Sequence, residues 1–370
     1  MSSTAAAQHQ SFDDGDPPLL GAASQGAVSQ GAVSEAEGPP TARPAPLLSV
    51  VIKCYNEQAR IAACVESALA ATRTLDAEII VADALSTDET VEIAKRYPIR
   101  IVQMADPADR GCGATAQMGQ QFARGEFLLL VDSDMEVISD FLPTALAAMA
   151  ENPRLACVGG RHIELSGSLE FRERERRTRQ YSQPVSATRL GGSALYRMAA
   201  IRDLGYFMNR NLYCSEELEL GQRLRAHGWG LRYVPVDAVR HYGYVTHPIA
   251  LLRNRWRSRY LDGYGQLLRG SWKQPHFWET ARVCRLFMMV IAWWGVVAAL
   301  LGAMVLGITN PIPLVAAILL PMMAIVVYKR GVTRGMYAWM VWQFYAAALL
   351  RGLFRSQQDP TEPVKSIIIA

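Results

Sequence analysis

The chain has no Cys-x-x-Cys pair. Its six cysteines stand at 54, 64, 112, 157, 214 and 284. That spacing offers neither a zinc site nor the paired frame of a small secreted domain, so they read as reduced thiols. Nothing near Met1 has the pattern of a secretory leader. A large net charge is missing too, at +4 over 370 residues. The near balance hides an uneven spread. Residues 1–46 carry five acids and one base, for −4, which leaves +8 for the remainder. Residues 253–285 hold eight Arg or Lys against Asp262 and Glu279, for +6 in one short stretch. Such a cluster fits nucleic acid or anionic lipid, and the segment after it selects lipid.

That segment, residues 286–308, has no charged residue at all. Its 23 residues are enough to cross a hydrocarbon core of roughly 30 Å, and they weigh against a helix of a soluble core. A second uncharged run, 312–328, is shorter and contains Pro313 and Pro321. A third, 336–350, lies between Arg334 and Arg351 and is rich in Trp and Tyr; it reads either as a span or as an interfacial segment. Basic residues precede the first run, and Lys329, Arg330 and Arg334 follow the second. By the positive-inside rule the large N-terminal part and the 329–335 loop face the cytoplasm. The expectation is a multi-pass protein of the plasma (inner) membrane.

Residues 1–46 are rich in Ala, Ser, Gly, Gln and Pro, with QGAVS repeated in tandem. They lack apolar periodicity and read as disordered. From Leu47 the pattern alternates. LLSVVIKC (47–54), EIIVAD (78–83), IRIVQM (99–104) and FLLLVD (127–132) are short, β-branched or apolar runs, hence strands. Between them lie helical spacings. Residues 57–72 place Ile61, Cys64, Val65, Ala68 and Leu69 on one face. Ser86 and Glu89 form a capping box for a helix that stops before Pro98. A third helix runs from about Ala114 to Arg124, with Gly125 as its C′ residue. Alternating strands and helices specify a parallel sheet covered on both faces. Ligands then bind beyond the carboxyl ends of the strands. Those ends carry Tyr55-Asn56-Glu57, Asp83, and the pair Asp132 and Asp134.

Burying carboxylates costs several kcal/mol unless a positive group compensates. Acids at strand ends escape that cost by rimming a site, and Mg²⁺ typically takes one or two carboxylates plus substrate phosphates. A second acidic group opens CSEELELGQRLRAHGWG (214–230), with Ser215 as an N-cap. Glu219 has Arg223 four residues on, the spacing of an ordinary surface pair. Glu216 and Glu217 have no such partner, and a carboxylate beside a metal–phosphate site suits a general base. In FRERERRTR (171–179), five Arg and two Glu read either as a solvated, salt-bridged helix face or as a contact for an acceptor phosphate or lipid.

Five segments in this order resemble family 2 glycosyltransferases of the GT-A fold, over roughly residues 48–245: SVVIKCYNE, VADALSTDET, GCGATAQMGQQFARGEFLLLVDSD, GGSALYR, and SEELELGQRLRAHGWGLRYVP with Val239-Arg240-His241 after it. The resemblance implies an α/β, Rossmann-like, mostly parallel sheet followed by C-terminal membrane helices. It puts Tyr55 and Glu57 on a nucleotide, Asp83 on its base, and Asp132 by the ribose and the metal. Asp134 would ligate Mg²⁺ or Mn²⁺, with His241 approaching the metal or the diphosphate. Glu217, beside Glu216, would take the acceptor's proton. The reaction implied is an inverting transfer from a nucleotide-sugar, UDP-linked, to a membrane-associated, polyprenyl-linked glycan or lipid in surface polysaccharide synthesis, with no nucleic acid involved. The sequence departs from the family at Lys53, where Pro is common; at Ala82, where a second acid is usual; at Ala84-Leu85 in place of Gly; and at Glu216-Glu217 in place of Glu-Asp. Leu252 stands where processive synthases have Gln before Arg255-Trp256, which favours one sugar per encounter. The expected organisation is a 1–46 tail, a 47–250 catalytic domain, a 251–285 basic juxtamembrane segment, two or three membrane helices in 286–355, and a 356–370 tail. A membrane-anchored nucleotide-binding or nucleotidyltransferase-like protein, or a non-catalytic scaffold of the same fold, remains open at this level.

Overall fold

A computed structural model describes residues 44–165, 175–176, 178–243 and 247–370. The expected disorder of 1–46 falls almost wholly outside them. Pro46–Ala370 form one unit, organised on a ten-stranded sheet of order β10-β3-β2-β1-β4-β8-β6-β9-β5, with β7 against β9. The strands are β1 (Leu48–Cys54), β2 (Ala77–Asp83), β3 (Arg100–Met104), β4 (Phe127–Asp132), β5 (Met135–Val137), β6 (Leu155–Glu164), β7 (Val185–Ser186), β8 (Ala194–Arg197), β9 (Gly230–His241) and β10 (Ser366–Ile368). β3, β2, β1 and β4 run parallel, as the alternation predicts. β8 enters antiparallel between β4 and β6, and β6 pairs parallel with β9.

Helices cover both faces. On one side α1 (Ile61–Thr72) and α4 (Phe141–Glu151) pack with Val50, Ile52 and Cys54 of β1. On the other, α3 (Cys112–Gln121), α5 (Met198–Leu204) and α6 (Glu216–Ala226) pack with Val51. Central β4 is buried on both faces, with Leu128, Leu129 and Leu130 at 1% exposure or less; each such side chain contributes about 1.5–3 kcal/mol. The parity of β1 matters for the site. Lys53 follows Val51 and so faces the α3–α6 side, whereas Cys54 faces the α1–α4 side.

Several local expectations shift. The helix after β2, α2, spans only Thr90–Ala94 and has no side-chain cap. Ser86 is not its cap: its hydroxyl donates to Asp83 at 2.5 Å and its amide to the same carboxylate at 3.0 Å. The hydroxyl that would accept from a helix amide as a cap instead donates to the nearby carboxylate, a charge-assisted bond. α3 ends at Gln121, short of Gly125. A Cβ on Gly125 would sit 2.6 Å from the Ser49 amide, so this glycine serves close approach to β1. Gly119 lies so near β1 and β2 that a Cβ would meet Val51 at 2.3 Å and Ala82 at 3.1 Å, which explains why Ala82 and not an acid stands there. Ser215 occupies the N-cap position of α6 at φ 65° without a capping bond. Glu219 and Arg223 pair at 2.7 Å, but at 7% and 9% exposure they are buried, not a surface pair. The reason is that Arg223 also donates to the carbonyls of Tyr206 and Phe207.

After β9 come α7 (Pro248–Arg257), α8 (Gly263–Gly270), α9 (Phe277–Val305), α10 (Ile312–Tyr328) and α11 (Val332–Phe354). Among the described residues, α9 alone is long and apolar enough to cross a membrane by length and composition; α10 has 17 residues. Residues 356–370 are not a loose tail. Val364 is 1% exposed, and β10 adds antiparallel to β3.

Candidate functional site

Because β2 and β3 lie on one side of β1 and β4 on the other, the order reverses between β1 and β4. A crevice forms beyond the strand ends at such a switch point. Lys53 and Asp132 are register partners there. Lys53 Nζ lies 2.9 Å from Asp132 Oδ1 and 3.5 Å from Glu216 Oε1. The lysine is 9% exposed. Burial works against its charge, but Asp132, Glu216 and Glu217 outweigh burial and hold its pKa well above the ordinary lysine value. Glu217 follows on the first turn of α6. Burial, with Glu216 next to it, pushes its pKa up to about 8, against the pull of Lys53. Gly192 lies between the two halves of this group: a Cβ there would be 2.6 Å from Asp132 Oδ2 and 3.4 Å from Glu217 Oε1. The absence of a side chain keeps open the space that Asp132 and Glu217 share.

Asp134 lies two residues on, in a different setting. Its Oδ2 is 3.1 Å from His241 Nε2, at the end of β9, and His241 Nδ1 is 2.5 Å from Glu164 Oε2, at the end of β6. Burial opposes charge on this imidazole, but the hydrogen bonds to Asp134 and Glu164 prevail and raise its pKa to about 9. A carboxylate–imidazole–carboxylate chain of this kind suits a divalent cation. Asp134 Oδ2 and His241 Nε2 are two donor atoms side by side, and Glu164 fixes the ring as a supporting carboxylate does in metal sites. Among the described residues no group of three or more His, Cys, Asp or Glu is arranged to hold a metal by itself. A Mg²⁺-like site that completes its shell with substrate oxygens and water does not require one. Asp132, already engaged by Lys53, is the lesser partner for a metal.

Toward β2 the loops are tied together. Asn56 N donates to Ser86 Oγ at 2.8 Å, Thr87 N to Asn56 Oδ1 at 2.7 Å, and Glu57 N to Thr90 Oγ1 at 2.7 Å. Arg110 donates to the carbonyls of Ala84 and Leu85 at 3.0 and 3.2 Å and covers the Tyr55 ring at 5.0 Å. Leu85 takes φ 63°, the strained conformation that the usual Gly would adopt freely.

The structure thus brings together Asp132, Glu216 and Glu217, and separately Asp134 and His241. Asp83 stands apart from both groups. It is 0% exposed, and its oxygens accept from Ser86 and from Gln103 Nε2 at 2.8 Å, with Cys54 Sγ at 3.5 Å. It does not line the crevice, because strand parity turns it to the Cys54 face, opposite Lys53 and Asp132. Sequence reasoning passed over Lys53 as a mere departure, although aligning the ends of β1 and β4 sets it against Asp132. It missed Glu164 and the buried Ser193–His162 pair at 2.6 Å. Register shifts in β6 erase the periodic signal that would have placed them. In FRERERRTR the described part shows Arg179 paired to Glu175 at 2.7 Å; the rest lies outside the described residues.

Residues 49–205 match the family described as glycosyl transferase family 2. A chondroitin synthase of Escherichia coli is 32% identical over 133 residues, covering 35% of this chain and 19% of that one. The poly(ribitol-phosphate) β-N-acetylglucosaminyltransferase TarS of Staphylococcus aureus is 26% identical over 181 residues, covering 46% and 30%. The chain therefore spans less than a third of the length of either relative. A mannosyltransferase of Pyrobaculum calidifontis, solved with GDP-Man and Mn²⁺, superposes with a TM-score of 0.53 at 18% identity, covering 83% of this chain and 87% of that one. That likeness extends the shared fold past the matched segment. With strand order, switch-point crevice and matched segment in agreement, residues 49–205 belong to the family 2 glycosyltransferases, on a GT-A fold.

Proposed function

We propose that the protein transfers one sugar per encounter from a nucleotide-sugar to a membrane-associated acceptor, with inversion at the anomeric carbon. The observation that carries this reading is the space over Gly192, faced by Asp132 on one side and Glu217 on the other. Tyr55, with Arg110 over its ring and Glu57 beside it, offers a face for the nucleotide. Asp83 acts at one remove by holding the Ala84–Ser86 loop. Asp132, oriented by Lys53, takes the ribose side of the donor. Glu217 accepts the proton of the acceptor hydroxyl as that oxygen attacks, which calls for its ionised form. The new glycosidic bond forms as the bond to the diphosphate breaks, and no covalent enzyme intermediate is needed. Asp134 and His241 would hold a divalent cation, Mg²⁺ or Mn²⁺, whose charge when bound offsets that developing on the leaving diphosphate.

The relatives named for polymer-linked sugar transfer support a surface glycan as product. The apolar helices and the basic stretch before them support an acceptor carried by lipid, at the cytoplasmic face of the plasma membrane. The deciding experiment incubates the full chain in membranes with UDP-, GDP- and dTDP-sugars, a UDP-sugar first, and measures nucleoside diphosphate release with and without chelator. Transfer that releases free diphosphate and stops on chelation supports the reading. Release of sugar 1-phosphate instead, with the nucleoside monophosphate passed to an acceptor, would establish a nucleotidyltransferase.

A further inference from the structure

The helical segment after the catalytic domain is tied to that domain at both ends. At its start, Glu279 of α9 pairs with Arg225 at 2.6 Å, and Thr280, fully buried, donates to Gln222 at 3.0 Å. At its end, Arg351 of α11 pairs with Asp262 at 2.6 Å, while its guanidinium covers the Trp256 ring at 4.1 Å. Arg355 then donates to Tyr213 at 2.9 Å. The chain does not leave after that. Gln358 N donates to Asn211 at 2.8 Å, and Arg210 holds the carbonyls of Glu362 and Pro363 at 3.1 Å each. β10 closes on β3, with Ile367 opposite Gln103. A segment that departs from one body and returns to it crosses a bilayer an even number of times. Three crossings are excluded by connectivity alone.

The helix that does not cross can be identified. α11 lies along α7: Tyr337 donates to the Pro248 carbonyl at 3.3 Å, Phe344 meets Trp256 at 5.4 Å, and Leu252 clusters with Met340, Val341, Tyr345 and Ala348. α7 has ten residues, about 15 Å, and carries Arg253, Arg255 and Arg257. It cannot cross a bilayer, and α11, packed beside it from Tyr337 to Ala348, shares its layer. Exposed apolar side chains are denser on the outer part of α9 (Val296, Leu301, Val305) and on α10 (Val315, Leu320, Val327) than on the longer α11, where Val332, Met336, Phe344 and Phe354 are exposed. The α9–α10 turn is uncharged, whereas Lys329, Arg330 and Arg334 mark the return, the arrangement that anionic headgroups favour on the catalytic side.

We propose that only the α9–α10 hairpin enters the bilayer, that α11 lies in the interface beside α7 on the catalytic side, and that β10 is a clasp returning the chain to the sheet. The proposal rests on the membrane reading above. Its test uses the full chain in intact cells and in permeabilised ones, with single cysteines at three exposed positions: Thr74→Cys in the catalytic domain, Thr333→Cys at the start of α11, and Lys365→Cys before β10. A membrane-impermeant maleimide should reach all three from the same side. Lys365→Cys or Thr333→Cys reacting from the side opposite Thr74→Cys overturns the proposal. The double variant Gln103→Cys/Ile367→Cys, treated with a mild copper oxidant, should lose both thiols to one intrachain disulfide, seen as a reducible mobility shift. Its absence overturns the clasp. An alkaline carbonate wash separates the two readings. Release of the protein defeats the membrane reading itself, whereas retention with Lys365→Cys on the far side defeats only this topology.

Discussion

Two aspartates one residue apart meet opposite solutions. Asp132 faces Lys53, a cation built into β1 that no substrate or buffer can exchange. Asp134 faces His241, an imidazole set between two carboxylates whose hydrogen bonds raise its pKa to about 9, so that its charge depends on a proton. One acid is neutralised permanently; the other is neutralised by something that can leave. A fold that needs one fixed anchor and one exchangeable cation position can build both from three consecutive residues. Strand alternation and the turn into β5 send the two side chains to different neighbours.

Four perturbations would break or sharpen that contrast. The largest effect is expected at the group both halves serve. Glu217→Gln should lower kcat by about 10²–10⁴-fold while the donor KM stays unchanged, measured as steady-state diphosphate release. In the parent protein kcat/KM should rise with pH and level off above about 8, because Glu217 keeps its proton below that value and only the ionised form accepts another. Next comes Lys53→Met, which strips the permanent cation. It should cost about 3 kcal/mol in urea unfolding, the low end for a broken buried pair, because Asp132 is 35% exposed. It should also move the acid limb of kcat/KM to higher pH, since Lys53 favours the ionised form of Glu217. A parent-like limb would show that Lys53 and Glu217 do not sense each other's charge. Glu164→Gln acts on the exchangeable side and should weaken Mn²⁺ affinity about tenfold by titration calorimetry, with little effect on donor binding in metal-free buffer. The smallest effect is Gly192→Ala. Its methyl would press on Asp132, at about 1 kcal/mol, and should raise the donor KM more than it lowers melting stability.

Much of this was legible in the sequence, and the reason is regularity. FLLLVD is apolar because β4 is buried on both faces, and the four parallel strands follow from β-branched runs alternating with helical spacing. The acids beyond those runs, and Glu217 on a first helical turn, could be placed because a strand end is a fixed landmark. What escaped depends on partners far along the chain. Asp83 looked like a ligand group by position, but parity gave it to the opposite face, where Ser86 and Gln103 claim it. Ser86 fits a capping box as well as it fits a carboxylate three residues back, and only the fold decides. Glu164 ends a bulged strand whose register no pattern predicts. The last strand is three residues long, too short to show any period.

One contact sets a geometric limit on everything the crevice can reach. Gly265 of α8 and Gly352 of α11 let two backbones touch: a Cβ on the first would lie 2.1 Å from the Leu349 carbonyl oxygen, and one on the second 2.1 Å from that of Asp262. Backbones locked that tightly cannot slide or roll past each other. In the proposed setting the catalytic cleft stands at one height above the lipid, like a tool on a fixed post. An acceptor is then chosen partly by how far its free hydroxyl stands from its own anchor, a selection by reach that would operate before any sugar ring is read.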